Sequence, residues 1–410
     1  MKQLQKRTIN TAIRHRHADR SGVTLMEVLM SVMIMGLGII PLAALFPLSV
    51  QRSVQATQLT NATVLRYNAE ALIDAFPTVF VFDPDGDTLD PNGHIAHQRR
   101  NRNYIVDPLG AYYAAFDGTG LEASFGNDGA GGAVTRVPRF HAGLVGTPIT
   151  DPTAPLSAVN FFTQQDSWIL LYEGIPTSTA FPDGINTTRD TIFIDTRDIN
   201  SGIVDLTELS QTVSGLTGGR MLIYDTSGKQ VQVRNITGAN INAGSAEISF
   251  TDPLPDNELY ESISKIRIEV LEQRYSYLLT VRRQIASDVA SVDVVVFFRR
   301  NYDPELEAIH NVTGFVEGNT KCRVHFNGNV STPPKLKKGG YIFDSINARW
   351  YRIQRVEDDL SSNALITLDQ PIIQRINPPG DDSTDPSNQM PGIILMPNVV
   401  QVYPLGNKTR

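Results

Sequence analysis

From Val28 to Leu48 the chain runs for 21 residues without a charged side chain, and Glu27 is the only charge in the 29 residues from Val23 to Gln51. Few environments accept such a segment. A helix rising 1.5 Å per residue over about 20 apolar residues crosses a ~30 Å hydrocarbon layer. A carboxylate at its head costs roughly 2.5–3.5 kcal/mol on insertion scales, so it needs a compensating contact. The flank before it is basic. Residues 1–22 carry Lys2, Lys6, Arg7, Arg14, Arg16 and Arg20 against Asp19, a charge of +5. Subtracting that from the chain total of −7 leaves −12 for residues 23–410. An acidic body has no basic stripe for a phosphate backbone, so no nucleic-acid partner is expected.

A cleaved secretory peptide would have a shorter apolar region and a small-x-small site, whereas Ala43-Ala44 is followed by Leu45-Phe46-Pro47. A buried core helix would not be so continuously apolar beside a basic flank. A plain signal anchor fits the length. The residues Gly22-Val23-Thr24-Leu25-Met26-Glu27 go further and resemble the cleavage and methylation motif of type IV prepilins and type II secretion pseudopilins. The resemblance implies cleavage after Gly22 by a prepilin peptidase and N-methylation of Val23. It also implies that Glu27 is an assembly contact, meeting the N-terminal ammonium of a neighbouring subunit. The function it implies is a minor pilin or pseudopilin, assembled with other such subunits through the N-terminal helix into a type IV pilus or secretion pseudopilus. The expected location is the inner membrane, single-pass, with residues 1–22 cytoplasmic by the positive-inside rule and the body outside. A non-polymerising, membrane-anchored envelope adhesin or binding protein is the alternative.

Beyond Gln51 a helical period continues through Val54, Leu65, Ala69, Leu72, Ile73 and Phe76, and Pro77 stops it. The expected fold class is α+β: a long N-terminal helix, transmembrane and then amphipathic, packed on an antiparallel pilin-type sheet, with additional small β-modules. The expected organisation is a basic leader (1–22), the long helix (23–76), an irregular loop-rich region (77–165), a first β-module (166–256), the sheet strands (257–302), and a second β-module with C-terminal strands (303–410).

Arg274–Arg283 alternates around Tyr277, Leu279 and Val281, and Ser291–Arg299 contains a continuous apolar run, which predicts an antiparallel pair. Met221–Arg234 with Ile248-Ser249-Phe250 parallels Tyr341–Gln354 with Ile366-Thr367-Leu368, each reading as a hairpin followed by a third strand. A duplication and a chance likeness of generic hairpins both account for this. Ile393–Met396 and Val399–Tyr403 are expected to close a sheet as a pair.

Chemistry-bearing motifs are sparse. Asp83, Asp85, Asp87 and Asp90 alternate as Ca²⁺ loops do, but Gly86 and His94 fall where an EF-hand does not put them, and a solvated Asp-Gly turn is the better reading of the run. His94 and His97 lack a third zinc ligand nearby in sequence. There is no HExxH, GxSxG or phosphate-binding Gly-rich signature. No catalysis and no cofactor are therefore expected. Cys322 stands alone, which excludes an intrachain disulfide and suggests a buried small hydrophobe. Trp168 and Trp350 are expected to pack on strands.

Overall fold

The computed structural model describes residues 24–84, 103–116, 125–127, 137–142, 161–164, 167–175, 190–195, 218–225, 231–242, 245–254, 263–272, 274–283, 288–373 and 392–410. The chain divides into two compact units, Met1–Thr57 and Gln58–Arg410, and helix α1 (Leu25–Ala75) contributes residues to both. In the second unit, a π-helical turn (Thr78–Phe82) leads to β1 (Asn103–Val106), α2 (Pro108–Phe116), β2 (Arg139–Phe140) and β3 (Thr163–Gln164). A first group of strands follows: β4 (Ser167–Gly174), β5 (Thr191–Asp195), β6 (Gly219–Asp225), β7 (Val231–Asn242), β8 (Ser245–Phe250) and β9 (Ile263–Glu272). Then come β10 (Tyr275–Arg283) and β11 (Val289–Phe298). A second group comprises β12 (Ile309–Thr313), β13 (Lys321–His325), β14 (Tyr341–Asp344), β15 (Arg349–Asp359), β16 (Asn363–Leu368) and β17 (Gly392–Met396), before the final strand β18 (Val399–Thr409).

The pairing is nested. A central sheet has the order β18-β11-β10-β1-β2, with β3 also on β10, while β4–β9 form a separate six-stranded sheet and β12–β17 a closed barrel. The central sheet is thus assembled from segments on either side of two excursions. In it, β10 and β11 pair antiparallel from Tyr275↔Phe298 to Arg283↔Ala290, as the alternation in the sequence predicts. Both strands are buried on both faces. Tyr275, Tyr277, Leu279, Val281, Val292, Val294 and Val296 share one core with Ala62, Leu65, Ala69 and Ile73 of α1. Spacings of three and four put those four helix residues on one stripe. Leu278, Val295 and Phe297 point the other way, into a core with Tyr341, Phe343, Trp350, Ile394 and Met396 of the barrel. Burial on both sides is why β11 reads as a run rather than an alternation. Each such side chain contributes about 1.5–3 kcal/mol.

Barrel strands alternate in the same way. Ile342, Tyr351, Ile353, Ile366, Ile393 and Leu395 share the second barrel core with Cys322, which is free and 2% exposed. Burial raises its thiol to about 12, so it stays protonated and inert. Barrel closure between β12 and β17 depends on Gly392. A Cβ there would lie 2.4 Å from the His310 carbonyl oxygen, which is backbone and cannot swing away.

Sheet, α2 and barrel entrance meet at a buried ion cluster. Arg300 donates to Asp107 through both Nη1 and Nη2 at 2.7 Å, and Nη2 reaches Glu307 at 3.3 Å. Arg139 donates to Asp107 at 2.9 Å and also to Glu307. The side chains of all four are at most 3% exposed. The Gly110 amide adds a hydrogen bond to Asp107 at 3.1 Å. Gly110 itself is required, since a Cβ would fall 1.7 Å from Arg139 Nη1. Burial pushes the Asp107 carboxyl up, but the Arg300 and Arg139 charges outweigh it and hold it below the ordinary value.

Several expectations are corrected. Among the described residues the structure is mostly β, with 49% strand and 26% helix and a closed six-stranded barrel, and not an α+β helix packed on a pilin-type sheet. The reason is that pairings distant in sequence organise most of the chain, while α1 supplies one stripe to one core. Among the described residues no helix is long and apolar enough to cross a membrane, which overturns the single-pass inner-membrane location and the transmembrane half of α1. Gly36, Gly38, Pro41 and Pro47 interrupt that part of the apolar run. Within the region 77–165, expected to be irregular and loop-rich, the described residues include β1, which joins the central sheet. The two hairpin segments both form three-strand meanders, but one lies in an open sheet and the other in the barrel. Strands β17 and β18 do not pair; they are consecutive yet belong to different sheets.

Replacing Arg300 by Met leaves Asp107 buried without its bidentate partner, and is expected to lower unfolding free energy by about 3–5 kcal/mol in denaturant titrations. The native contribution of Asp107 is complete above the unfolded carboxylate value of ~3.9 and is lost as pH falls through its lower folded value. The deficit of Arg300→Met should therefore be full at neutral pH and shrink in acid. Gly392→Ala is expected to destabilise the barrel through the His310 clash, read as a lower thermal midpoint with the helix signal retained.

Candidate functional site

The residues singled out by sequence fall unevenly. Gly22 and Val23 lie outside the described residues, as do Asp85, Asp87 and Asp90; Asp83 follows the π-helical turn. Among the described residues no group of three or more His, Cys, Asp or Glu could hold a metal ion. His94 and His97 also lie outside.

Glu27 sits in the first turn of α1. Its Oε2 accepts from the Thr24 amide at 3.2 Å, and Thr24 Oγ1 accepts from the Glu27 amide at 3.3 Å. This reciprocal pair is a capping box, which satisfies two amides that a helix start leaves open. A carboxylate here also faces the positive end of the helix dipole. The compensation that Glu27 requires is thus supplied within its own turn. After it the helix is apolar on every side: Leu25, Met33, Ile34, Met35, Leu37 and Phe46 are each 63–78% exposed.

A second feature is a cavity of about 320 Å³ where β14, β15 and residues 369–373 of the barrel face β10, β11 and β18 of the central sheet. Three arginines (Arg282, Arg349, Arg352) and two aspartates (Asp293, Asp369) line it, with Gln401. The register puts Trp350 opposite Phe343 on one face of the β14–β15 hairpin and Tyr351 opposite Ile342 on the other. Trp350 is 6% exposed and donates through Nε1 to Thr280 Oγ1 at 2.9 Å, locking barrel to sheet. It packs as expected. Trp168 differs: it lies on β4 at 38% exposure with the Arg220 guanidinium 4.1 Å from its ring centroid.

Within the cavity, Arg282 donates to Asp293 Oδ1 at 3.0 Å and also to Oδ2, and to the Ala348 carbonyl at 2.8 Å. That pair is closed. Tyr341 donates to Gln401 Oε1 at 3.1 Å, which turns the amide nitrogen of Gln401 into its remaining polar group. Asp369 accepts from the Arg352 backbone amide at 3.3 Å. Burial pushes the Tyr341 hydroxyl upward, so it remains a donor. Nothing in the sequence marks this site, because its arginines belong to strands joined only by folding.

Elsewhere in the barrel, His310 on β12 is buried and accepts from the Asn327 amide through Nδ1 at 3.0 Å. Burial lowers its pKa to about 4. No carboxylate offsets that cost, so it acts as a neutral packing residue.

No family model matches the chain, and no curated protein does. The prepilin and pseudopilin resemblance of Gly22–Glu27 is therefore corrected: a six-residue likeness is not accompanied by the family, and the barrel-containing β fold is not the one it implied. Among solved structures, phage phi92 endosialidase is similar at 10% identity over 40% of this chain and 23% of that one, with a TM-score of 0.13. The chain spans under a quarter of that protein's length, and a score so low carries no argument.

Two outcomes test this description. Glu27→Ala removes the acceptor for the Thr24 amide and is expected to cost about 1 kcal/mol at the helix start, visible as faster hydrogen exchange at Thr24 with the β core unchanged. For His310, the folded pKa of about 4 lies below the unfolded ~6.5, so its stabilisation is present above pH ~6.5 and lost toward pH 4. His310→Gln should flatten the stability profile in that window, measured by denaturant titration at successive pH values.

Proposed function

We propose that the chain is a non-catalytic subunit of an assembly, packed through its helix segment 25–57 against the same segment of other copies and carrying the β body as the displayed part. The observation behind this reading is the exposure of large apolar side chains on all sides of that segment. A helix apolar all round belongs in an interior. Its composition suits the interior of a helix bundle. Met26, Met30, Met33 and Met35 are flexible side chains that fill irregular gaps. Gly36 has nothing within 4 Å of where a Cβ would stand, leaving room for a second backbone. The Thr24–Glu27 capping box keeps the helix head from bringing an unpaired carboxylate into that interior. The second unit has its own cores, whose helix members among the described residues are Ala62, Leu65, Ala69 and Ile73.

The full chain is expected to be oligomeric by light scattering after size exclusion, and Met33→Asp with Leu37→Asp to be monomeric with an unchanged β circular dichroism signal. Met33→Cys should form disulfide-linked dimers, Cys322 being buried. A monomeric wild type sinks the proposal. So does a wild type that enters phosphatidylcholine vesicles without the Met33→Cys crosslink.

A further inference from the structure

We infer that the cavity between the β14–β15 hairpin and the β11–β18 edge binds a small molecule through an oxyanion group, carboxylate or phosphate, held by Arg349 and Arg352. The inference does not depend on assembly through α1.

Charge accounting carries it. Of the three guanidinium groups lining the cavity, Arg282 is consumed: both oxygens of Asp293, the Ala348 carbonyl and Ser291 Oγ (3.2 Å) take its hydrogens. Of the two carboxylates, Asp293 is therefore neutralised, and Asp369 is tied to the backbone amide of Arg352. Two guanidinium groups remain against one carboxylate. Among the described residues neither Arg349 nor Arg352 is held in an ion pair; Arg349 Nε is buried without a hydrogen-bond partner, and Arg352 is exposed at the cavity mouth. The acidic residue that acts electrostatically on Arg349, Asp344, is buried and spends its oxygens on Ile346, Asn347 and the Asn347 side chain. A buried donor without an acceptor costs about 1–3 kcal/mol, more when charged. Such unpaired Nε atoms recur in the chain, at Arg139 and Arg300 for example, and what sets Arg349 apart is that it lines a cavity beside a second unpaired guanidinium.

The remaining polar lining agrees in sign. Gln401, its oxygen engaged by Tyr341, presents an amide that donates. The excess of donors selects an acceptor-only group, which an ionised carboxylate or phosphate is. The guanidinium fork favours such planar or tetrahedral oxyanions over chloride. A volume of about 320 Å³ is that of a small-molecule site, at the lower end of the usual range. The walls come from barrel and sheet fastened by the Trp350–Thr280 bond, so the pocket is preformed.

The test is isothermal titration of the full chain with sodium phosphate and with sodium citrate, each against sodium chloride of equal ionic strength. Saturable binding of at least one probe is expected, and the probe that binds assigns phosphate or carboxylate as the recognised group. Arg349→Gln with Arg352→Gln should weaken it roughly tenfold or more, the scale of one lost charge-assisted contact, while the thermal midpoint without probe stays near wild type. Lys335→Gln with Lys338→Gln, neither residue being part of the lining, matches the loss of two charges and should leave affinity unchanged. Absence of saturable binding by both probes overturns the inference. So does equal affinity in wild type and double variant, which would mean an adventitious ion only.

Discussion

Four charges that never meet water hold the second unit together. Asp107, Arg139, Arg300 and Glu307 come from the end of β1, from β2, from just after β11 and from the turn before β12. Each ion alone would suffer a desolvation penalty of several kcal/mol at such a depth. They are tolerable only together, with two cations against two anions and bidentate geometry at Asp107. The cluster therefore works less as an added stabiliser than as a condition of entry. Any arrangement that separates β2 from the end of β11, or the barrel entrance from α2, buries an uncompensated charge. The aromatic faces around it, Phe297 and Tyr302 beside Arg300 and Phe125 beside Arg139, fit the same requirement.

Local patterns made part of this fold legible. Alternation around Tyr277, Leu279 and Val281 identified β10, and the run through Val294–Phe298 identified a strand covered on both sides. The parallel segments Met221–Arg234 with Ile248–Phe250 and Tyr341–Gln354 with Ile366–Leu368 flagged the meanders. The architecture was not legible, because it is set by partners far apart: β12 with β17, β13 with β16, β11 with β18. Ile393–Met396 and Val399–Tyr403 look like a hairpin, yet Asn398 in the left-handed region (φ 66°) redirects the chain into another sheet. A long apolar segment beside a basic flank outweighed everything else in the sequence, although strands dominate the structure.

For the candidate sites the same division holds. Thr24-x-x-Glu27 is a capping signature in its own right, so the hydrogen bonds of Glu27 could be read locally. The arginine-lined cavity could not, since Arg282, Arg349 and Arg352 acquire their common surroundings only when barrel and sheet dock. The two features that carry the proposals are a helical segment with an exposed apolar surface and a cavity of the β body lined by three arginines and two aspartates. The two make independent demands, and neither uses the buried ion cluster or Cys322.

The nesting of the strands also sets an order of events during synthesis. Strand β11 leaves the ribosome with one neighbour, β10, already made, and its other partner, β18, not yet translated. The strands described between them are those of the barrel. A hairpin could not bridge that gap; the cost of closing so long a loop is paid down only if the intervening strands first fold into a body that returns the chain to its starting point. Until then β11 offers an open, strongly apolar edge, the kind that invites pairing with a foreign strand. The barrel is in this sense an internal escort, and the last eleven residues of strand seal the edge that it has kept waiting.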